Sequence, residues 1–317
     1  MLSPTDPLTH CTLCPRACGV NRHTGTGRCG MGATLRVALA HLHPWEEPCL
    51  SGPQPEERMS LADCRSGSGT IFFSGCALGC VSCQNHDISM PDQAGGEGHD
   101  LSVDDLAALM LELQHTGAHN VNLVTPSHFT PLVAQGIRQA KTNGLGIPVV
   151  WNSSGYESVD TLRTLEGLVD IYLPDLKHMD NAVAARHCAA PDYPKIATHA
   201  IWEMHRQVGP LVLDDNGLAQ RGLLVRLLAL PQNAARTDLA LHWIADTLGT
   251  NTAVSLMGQF YPAHRAAEFP ELSRGVTREE YDSLLSLMDE LGLSRGYTQE
   301  VGSSAQFTPD FLQSPGT

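Results

Sequence analysis

Gly67-Ser-Gly-Thr70-Ile-Phe-Phe-Ser-Gly75-Cys76-Ala-Leu-Gly79-Cys80-Val-Ser-Cys83-Gln84-Asn85 joins a short apolar run to three cysteines spaced C-x3-C-x2-C. Thr70 to Ser74 reads as a strand bounded by glycines, which puts the cysteines on the loop that follows it. Three thiolates on one loop can hold three irons of a [4Fe-4S] cube, since such clusters are bound by cysteine sulfur. Zinc commonly takes four ligands and C-x2-C knuckles. No fourth cysteine adjoins this loop in sequence, so one iron would be left open to a small ligand. An electron-transfer ferredoxin usually closes that position.

Outward from this loop, apolar strands alternate with amphipathic helices, the rhythm of a parallel α/β sheet. Strands are expected at Thr70–Ser74, Asn120–Val124, Pro148–Asn152, Val169–Leu173, Gly222–Leu230 and Ala253–Phe260. Helices are expected near 103–116, 131–143, 158–166, 193–208, 236–248 and 277–291. Ser102 and Asp105 resemble a capping box, and Leu106, Leu109, Met110 and Leu113 share one helical face. Six such units fit an open (β/α)6 partial barrel better than a closed eightfold one. Residues 1–64, rich in Cys, Gly and Pro, read as a small metal-binding module. Residues 65–300 form the barrel, and 301–317 form a mobile tail.

The chain has 317 residues, 42% of them apolar, and 20 Lys plus Arg against 34 Asp plus Glu. Its formal charge of −14 argues against non-specific nucleic-acid binding. No apolar stretch approaches the ~20 residues needed to cross a bilayer, and the N-terminus lacks a signal-peptide pattern; a cytoplasmic location is expected. Ten cysteines in such a protein point to metal or redox chemistry rather than disulfides. Cys11, Cys14, Cys18 and Cys29 follow C-x2-C-x3-C-x10-C, enough thiolates for a zinc site or a second Fe–S cluster. Cys49, Cys64 and Cys188 read as isolated thiols. His41 and His43 read as a surface pair, and Gly25 to Gly30 spells G-x-G-x-x-G without the preceding strand a dinucleotide site requires.

The chain resembles the radical S-adenosylmethionine (SAM) superfamily. Its Cys76–Cys83 loop matches that signature, and Val124-Thr-Pro-Ser-His128, Ser154-Gly-Tyr-Glu-Ser158, Asp170-Ile-Tyr-Leu-Pro-Asp175-Leu-Lys177, Gln207-Val-Gly209 and Cys11-Thr-Leu-Cys14-Pro-Arg-Ala-Cys18 are similar to the branch of pyruvate formate-lyase activating enzyme-like proteins. The resemblance covers roughly residues 10–300. It implies a partial TIM-like barrel, a [4Fe-4S] cluster on Cys76, Cys80 and Cys83, and SAM at the open iron. It further implies reductive cleavage of SAM to a 5′-deoxyadenosyl radical and a flavodoxin- or ferredoxin-type reductant. The substrate it implies is a glycyl-radical enzyme; another peptide or small metabolite is the alternative. From another class, the chain could be a non-catalytic Fe–S carrier.

Ligands of parallel barrels sit at the carboxyl ends of the strands. There the chain offers Thr125, Asn152, Ser153, Asp175, Lys177, Arg226 and Gln259 as SAM-binding residues. Ser82 replaces the aromatic residue that many members carry before the third cysteine. Thr125 stands where activases carry a Gly-Gly-Glu segment, and Asn152 where they carry Asp. The plain alternative for Asp175 and Lys177 is a solvent-exposed ion pair; for Arg226 it is a structural one. Tyr156 reads as a packed ring.

Overall fold

The computed structural model describes residues 6–53, 64–89, 98–299 and 301. In chain order its elements are β1 (Leu35–His43), α1 (Pro48–Ser51), β2 (Gly67–Phe73), α2 (His86–Ser89), β3 (His99–Leu101), α3 (Val103–His115), β4 (Ala118–Val124), α4 (Thr130–Thr142), β5 (Val149–Ser153) and α5 (Val159–Arg163). There follow β6 (Ile171–Pro174), α6 (Asn181–Cys188), α7 (Tyr193–Val208), β7 (Val212–Leu213), β8 (Ala219–Leu228), α8 (Thr237–Trp243), β9 (Ala253–Met257), α9 (Arg278–Glu290) and β10 (Gly296–Thr298).

Strands run in the order β10-β9-β8-β6-β5-β4-β2-β1-β3, with β7 beside β8. The six expected strands are β2, β4, β5, β6, β8 and β9, and each is parallel to its neighbour. This is an α/β partial barrel whose outermost strands, β10 and β3, do not pair with each other. The expected helices are present, and the Ser102–Asp105 capping box closes on the α3 N-terminus. Its hydroxyl and carboxylate satisfy orphan backbone donors of the first turn.

The six expected strands and six expected helices leave out β1, β3, β7, β10, α1, α2 and α6. The stretch up to residue 64, read as loop-rich, contributes β1, which runs antiparallel to β2 and carries β3 on its other side. Helix α6 was also unassigned; Asp180 caps it by accepting from the Val183 N–H, and Cys188 ends it before Ala189 in the left-handed region. The proposed tail lies outside the described residues after Val301.

Side-chain alternation explains both faces of the sheet. Val121, Leu123, Val149, Trp151, Tyr172, Leu223, Val225, Val254 and Leu256 point outward into a core shared with the helices. The intervening Val150, Ile171, Leu173, Leu224 and Ala253 point inward, where they meet Cys49 and Leu50 of α1. The short helix therefore plugs the barrel. Asn120 Nδ2 secures it by donating to the Leu50 carbonyl at 2.8 Å, and Pro48 opens it with no N–H left unsatisfied.

Leu50 is fully buried, so Leu50→Ala is expected to destabilise the protein by about 3 kcal/mol, seen as a lower midpoint of urea unfolding.

Candidate functional site

The inward alternation that buries Val150 and Leu224 carries Asn152 and Arg226 to the carboxyl ends of β5 and β8. There a cavity of about 280 Å³ is lined by Cys76, Cys80, Cys83, Thr125, Asn152, Ser153, Asp175, Lys177, Arg226 and Gln259. These are the three loop cysteines and all seven strand-end residues singled out above, gathered from segments far apart in the chain. Ser82 lines it as well.

Arg226 organises the polar wall. Its Nε donates to Asp175 Oδ1 at 2.8 Å and one terminal nitrogen donates to Asn152 Oδ1 at 2.6 Å. The other terminal nitrogen lies 3.5 Å from a Glu46 carboxylate oxygen. Lys177 Nζ donates to the second Asp175 oxygen at 2.7 Å. Burial alone would raise the Asp175 pKa, but the Arg226 and Lys177 charges outweigh it and hold it below the usual value. Burial disfavours the Lys177 ammonium too; attraction from Asp175 prevails and keeps its pKa high. The pair is thus charged and only partly exposed, with side-chain exposures of 30% for Lys177 and 19% for Asp175, unlike a solvent-exposed pair. Arg226 is both inward-facing and ion-paired. Tyr193 stiffens the strand end: its hydroxyl lies 2.7 Å from the Ser154 carbonyl and 2.8 Å from the Asp175 carbonyl, and accepts from the Lys177 N–H.

Two glycines shape the cysteine loop. Gly75 has φ 83°, and a Cβ there would stand 2.5 Å from Met31 Cγ and 2.6 Å from the Cys29 carbonyl oxygen. Gly79 has φ 74°, a backbone region that L side chains avoid. Among the described residues no three His, Cys, Asp or Glu side chains are drawn into a preformed metal cage. The donor set nonetheless fits an iron–sulfur group: three soft sulfurs share one cavity. Burial pushes the Cys83 thiol up to about 12, with further contributions from Cys80 and Cys76. Such thiols are relieved when metal replaces their protons. Cys83 Sγ lies 3.1 Å from Ser89 Oγ, and Cys80 Sγ lies 3.3 Å from Cys188 Sγ.

The N-terminal cysteines lie outside this cavity. Cys11 and Cys29 are buried, Cys14 is half-buried and Cys18 exposed. The sulfurs of Cys29 and Cys18 flank Gly27, at 3.3 and 3.6 Å from where its Cβ would be. Burial raises the Cys14 thiol to about 12, reinforced by Cys29 and Cys11. Arg16, between Cys14 and Cys18, joins this set to the other one. Its guanidinium donates to the carbonyls of Ala77 at 2.8 Å, Leu78 at 3.3 Å, Cys188 at 3.0 Å and Ala189 at 2.5 Å. It also lies over the Tyr156 ring. Tyr156 is packed as expected, with its hydroxyl on Asp192 at 2.9 Å. From the Val124–His128 stretch, buried His128 reaches the Ser74 carbonyl at 2.8 Å and so supports the start of the cysteine loop.

The cavity also has a wall that sequence reading missed: His43 at the end of β1, then Trp45, Glu46 and Glu47 leading into α1. The adjacent carboxylates before Pro48 were the available signal. His43 is buried rather than at the surface, and His41 stacks on Phe72 at 5.9 Å. Burial lowers both imidazoles, to about 3 for His41 and about 4 for His43. Glu47 is 5% exposed and its Oε2 has no hydrogen-bond partner. Burial raises its pKa to about 7, against the pull of Arg226. Thr125 adopts φ 58°, a left-handed conformation costly for a β-branched residue; the structure keeps a glycine-like turn where the sequence has no glycine.

Because the Glu47 pKa in the fold lies above its ordinary value of 4.5, its contribution to stability is complete below about pH 4.5 and lost as pH rises through 7. Glu47→Gln is expected to flatten the dependence of melting temperature on pH between 5 and 8 and to stabilise the unliganded protein at the alkaline end. Thr125→Gly, by releasing backbone strain, is expected to add about 1 kcal/mol in chemical denaturation, whereas Thr125→Ala adds none.

No family model matches the chain. The uncharacterized protein MJ0674 of Methanocaldococcus jannaschii is 28% identical over 292 residues, covering 91% of this chain and 77% of that one. Among solved structures, HydG, a maturase of the [FeFe]-hydrogenase, has a TM-score of 0.48 at 12% identity, over 70% of this chain and 48% of that chain. This chain therefore spans about half the length of HydG. Methylornithine synthase PylB has a TM-score of 0.46 at 13% identity, over 75% and 74% of the two chains. SuiB of Streptococcus suis, in a structure bound to S-adenosylmethionine, has a TM-score of 0.44 at 11% identity, over 71% of this chain and 48% of that one.

Proposed function

We propose that this chain is a radical SAM enzyme. The observation that carries the reading is the convergence of Cys76, Cys80 and Cys83 with Thr125, Asn152, Ser153, Asp175, Lys177, Arg226 and Gln259 on one cavity at the carboxyl ends of parallel strands. In this reading the three cysteines hold a [4Fe-4S] cluster through three of its irons. When bound, the cluster and SAM supply an electron and a cleavable sulfonium, the source of a 5′-deoxyadenosyl radical.

The chain's own residues bind and orient. Lys177 presents an ammonium to a carboxylate, and Asp175, held ionised, presents an anion to an amino group. Arg226 keeps Asp175 and Asn152 in place by direct hydrogen bonds. Thr125 and the buried, unpartnered Oε1 of Gln259 offer polar contacts to the ribose or adenine. With Ser82 before Cys83, no aromatic ring at that position can cover the adenine. Cys11, Cys14, Cys18 and Cys29 hold a second metal, zinc or an Fe–S cluster, and their module abuts the first loop through Gly75. The finer reading is hydrogen abstraction from a glycine Cα of a partner enzyme, with electrons from a flavodoxin- or ferredoxin-type protein in the cytoplasm. It rests on the sequence resemblance alone.

The test is electron paramagnetic resonance of the anaerobically reconstituted, reduced protein with and without SAM. The expected result is a [4Fe-4S]+ signal that SAM changes and that is lost when Cys76, Cys80 and Cys83 are replaced by Ala. Lys177→Met is expected to raise the SAM concentration for the half-maximal change about tenfold, or about 1.4 kcal/mol. An intact signal indifferent to SAM would make the chain an electron carrier instead.

A further inference from the structure

Cys188 belongs to neither cysteine cluster in sequence, yet its sulfur lies 3.3 Å from that of Cys80, a residue 108 positions away. The contact is built on both sides. The Val81 N–H donates to the His187 carbonyl at 2.9 Å, so the residues flanking the two sulfurs are already hydrogen-bonded. Arg16 then spans both segments, holding the Ala77 and Leu78 carbonyls of the loop and the Cys188 and Ala189 carbonyls at the end of α6. Both residues line the cavity; Cys188 is 1% exposed and Cys80 is only partly covered. A disulfide needs sulfurs about 2 Å apart on backbones held close together.

We propose that Cys80 and Cys188 form a thiol–disulfide site that competes with metal binding at the cysteine loop. In the reduced protein Cys80 is available to iron; in the oxidised, metal-free protein it is sequestered. The oxidant is a low-molecular-weight disulfide entering through the cavity. Cys80 attacks one of its sulfurs, forming a mixed disulfide and releasing the first small thiol. Cys188 then attacks the Cys80 sulfur and releases the second. Two protein thiols are oxidised, one small disulfide is reduced to two thiols, and the two protons pass to the products. Buried Cys188 thus acts as the resolving thiol. The effect on iron rests on the reading of Cys80 as a cluster ligand; the disulfide itself does not.

The experiment treats the metal-free full-length protein with oxidised glutathione at pH 8.5, followed by non-reducing peptide mapping. A peptide linking Cys80 to Cys188, absent in Cys188→Ser and removed by dithiothreitol, is the expected result. Iron uptake is then measured anaerobically, without reductant, with the Cys76, Cys80 and Cys83 triple Ala variant as baseline. Oxidation is expected to reduce uptake above that baseline at least fivefold in the native sequence. In Cys188→Ser the same treatment forms no internal link, and Cys80 is recovered either free or carrying one glutathione, read from the mass of its peptide. Linkage of Cys80 to Cys76 or Cys83 instead, or no linkage, would overturn the proposal. Linkage to Cys188 with iron uptake unchanged would keep the thiol site and overturn the assignment of Cys80 as a ligand.

Discussion

One guanidinium holds the mouth of this barrel in shape. Arg226 emerges from the apolar second half of β8 and meets Asp175 from the end of β6, Asn152 from β5 and Glu46 from the segment before α1. Each buried charge costs several kcal/mol of lost hydration. That cost is offset only while every partner stays in place, so the ends of three neighbouring strands and the plug are mutually constrained. Lys177 completes the set by taking the Asp175 oxygen that Arg226 leaves free. A zwitterionic ligand entering here would meet charges that are already oriented and paired, with little reorganisation left for binding to drive.

The second organising contact is Arg16. It lies within the N-terminal cysteine segment but spends its donors on the other cysteine loop and on the end of α6. Cys29 and Met31 press against Gly75 from the same side. The two cysteine sets are therefore parts of one packed region, although sequence composition suggested a module set apart from the barrel. Whatever orders the first loop also orders the backbone around Cys76 to Cys80.

Much of this was legible before any coordinates. The cysteine spacing put three thiols on the loop after β2, and in a parallel α/β sheet the residues just past each strand must gather at one end. Strand-end residues such as Thr125, Asp175 and Gln259 could therefore be chosen without knowing a single contact. Arg226 points inward by the same period of two that buries Leu224, but its neighbours Leu223, Leu224, Val225, Leu227 and Leu228 are apolar on both faces, so the pattern alone did not give that direction. What stayed hidden depends on packing between distant segments. The Cys80–Cys188 contact, the reach of Arg16 and the burial of His43 leave no local periodicity. Strand β1 was missed because its polar and apolar residues sit in a Cys-, Gly- and Pro-rich context, and α1 because four residues are too few for a helical pattern.

The plug between β1 and β2 has one further implication. Because α1 fills the barrel axis from below while Glu46 and Glu47 form part of the chamber above it, the depth of the chamber is set by a connecting segment together with the strands. Insertions or deletions there could deepen or fill the chamber while leaving strand pairing and the cysteine loop untouched. The fold separates the machinery at the strand ends from the gauge that decides how large a guest it can admit.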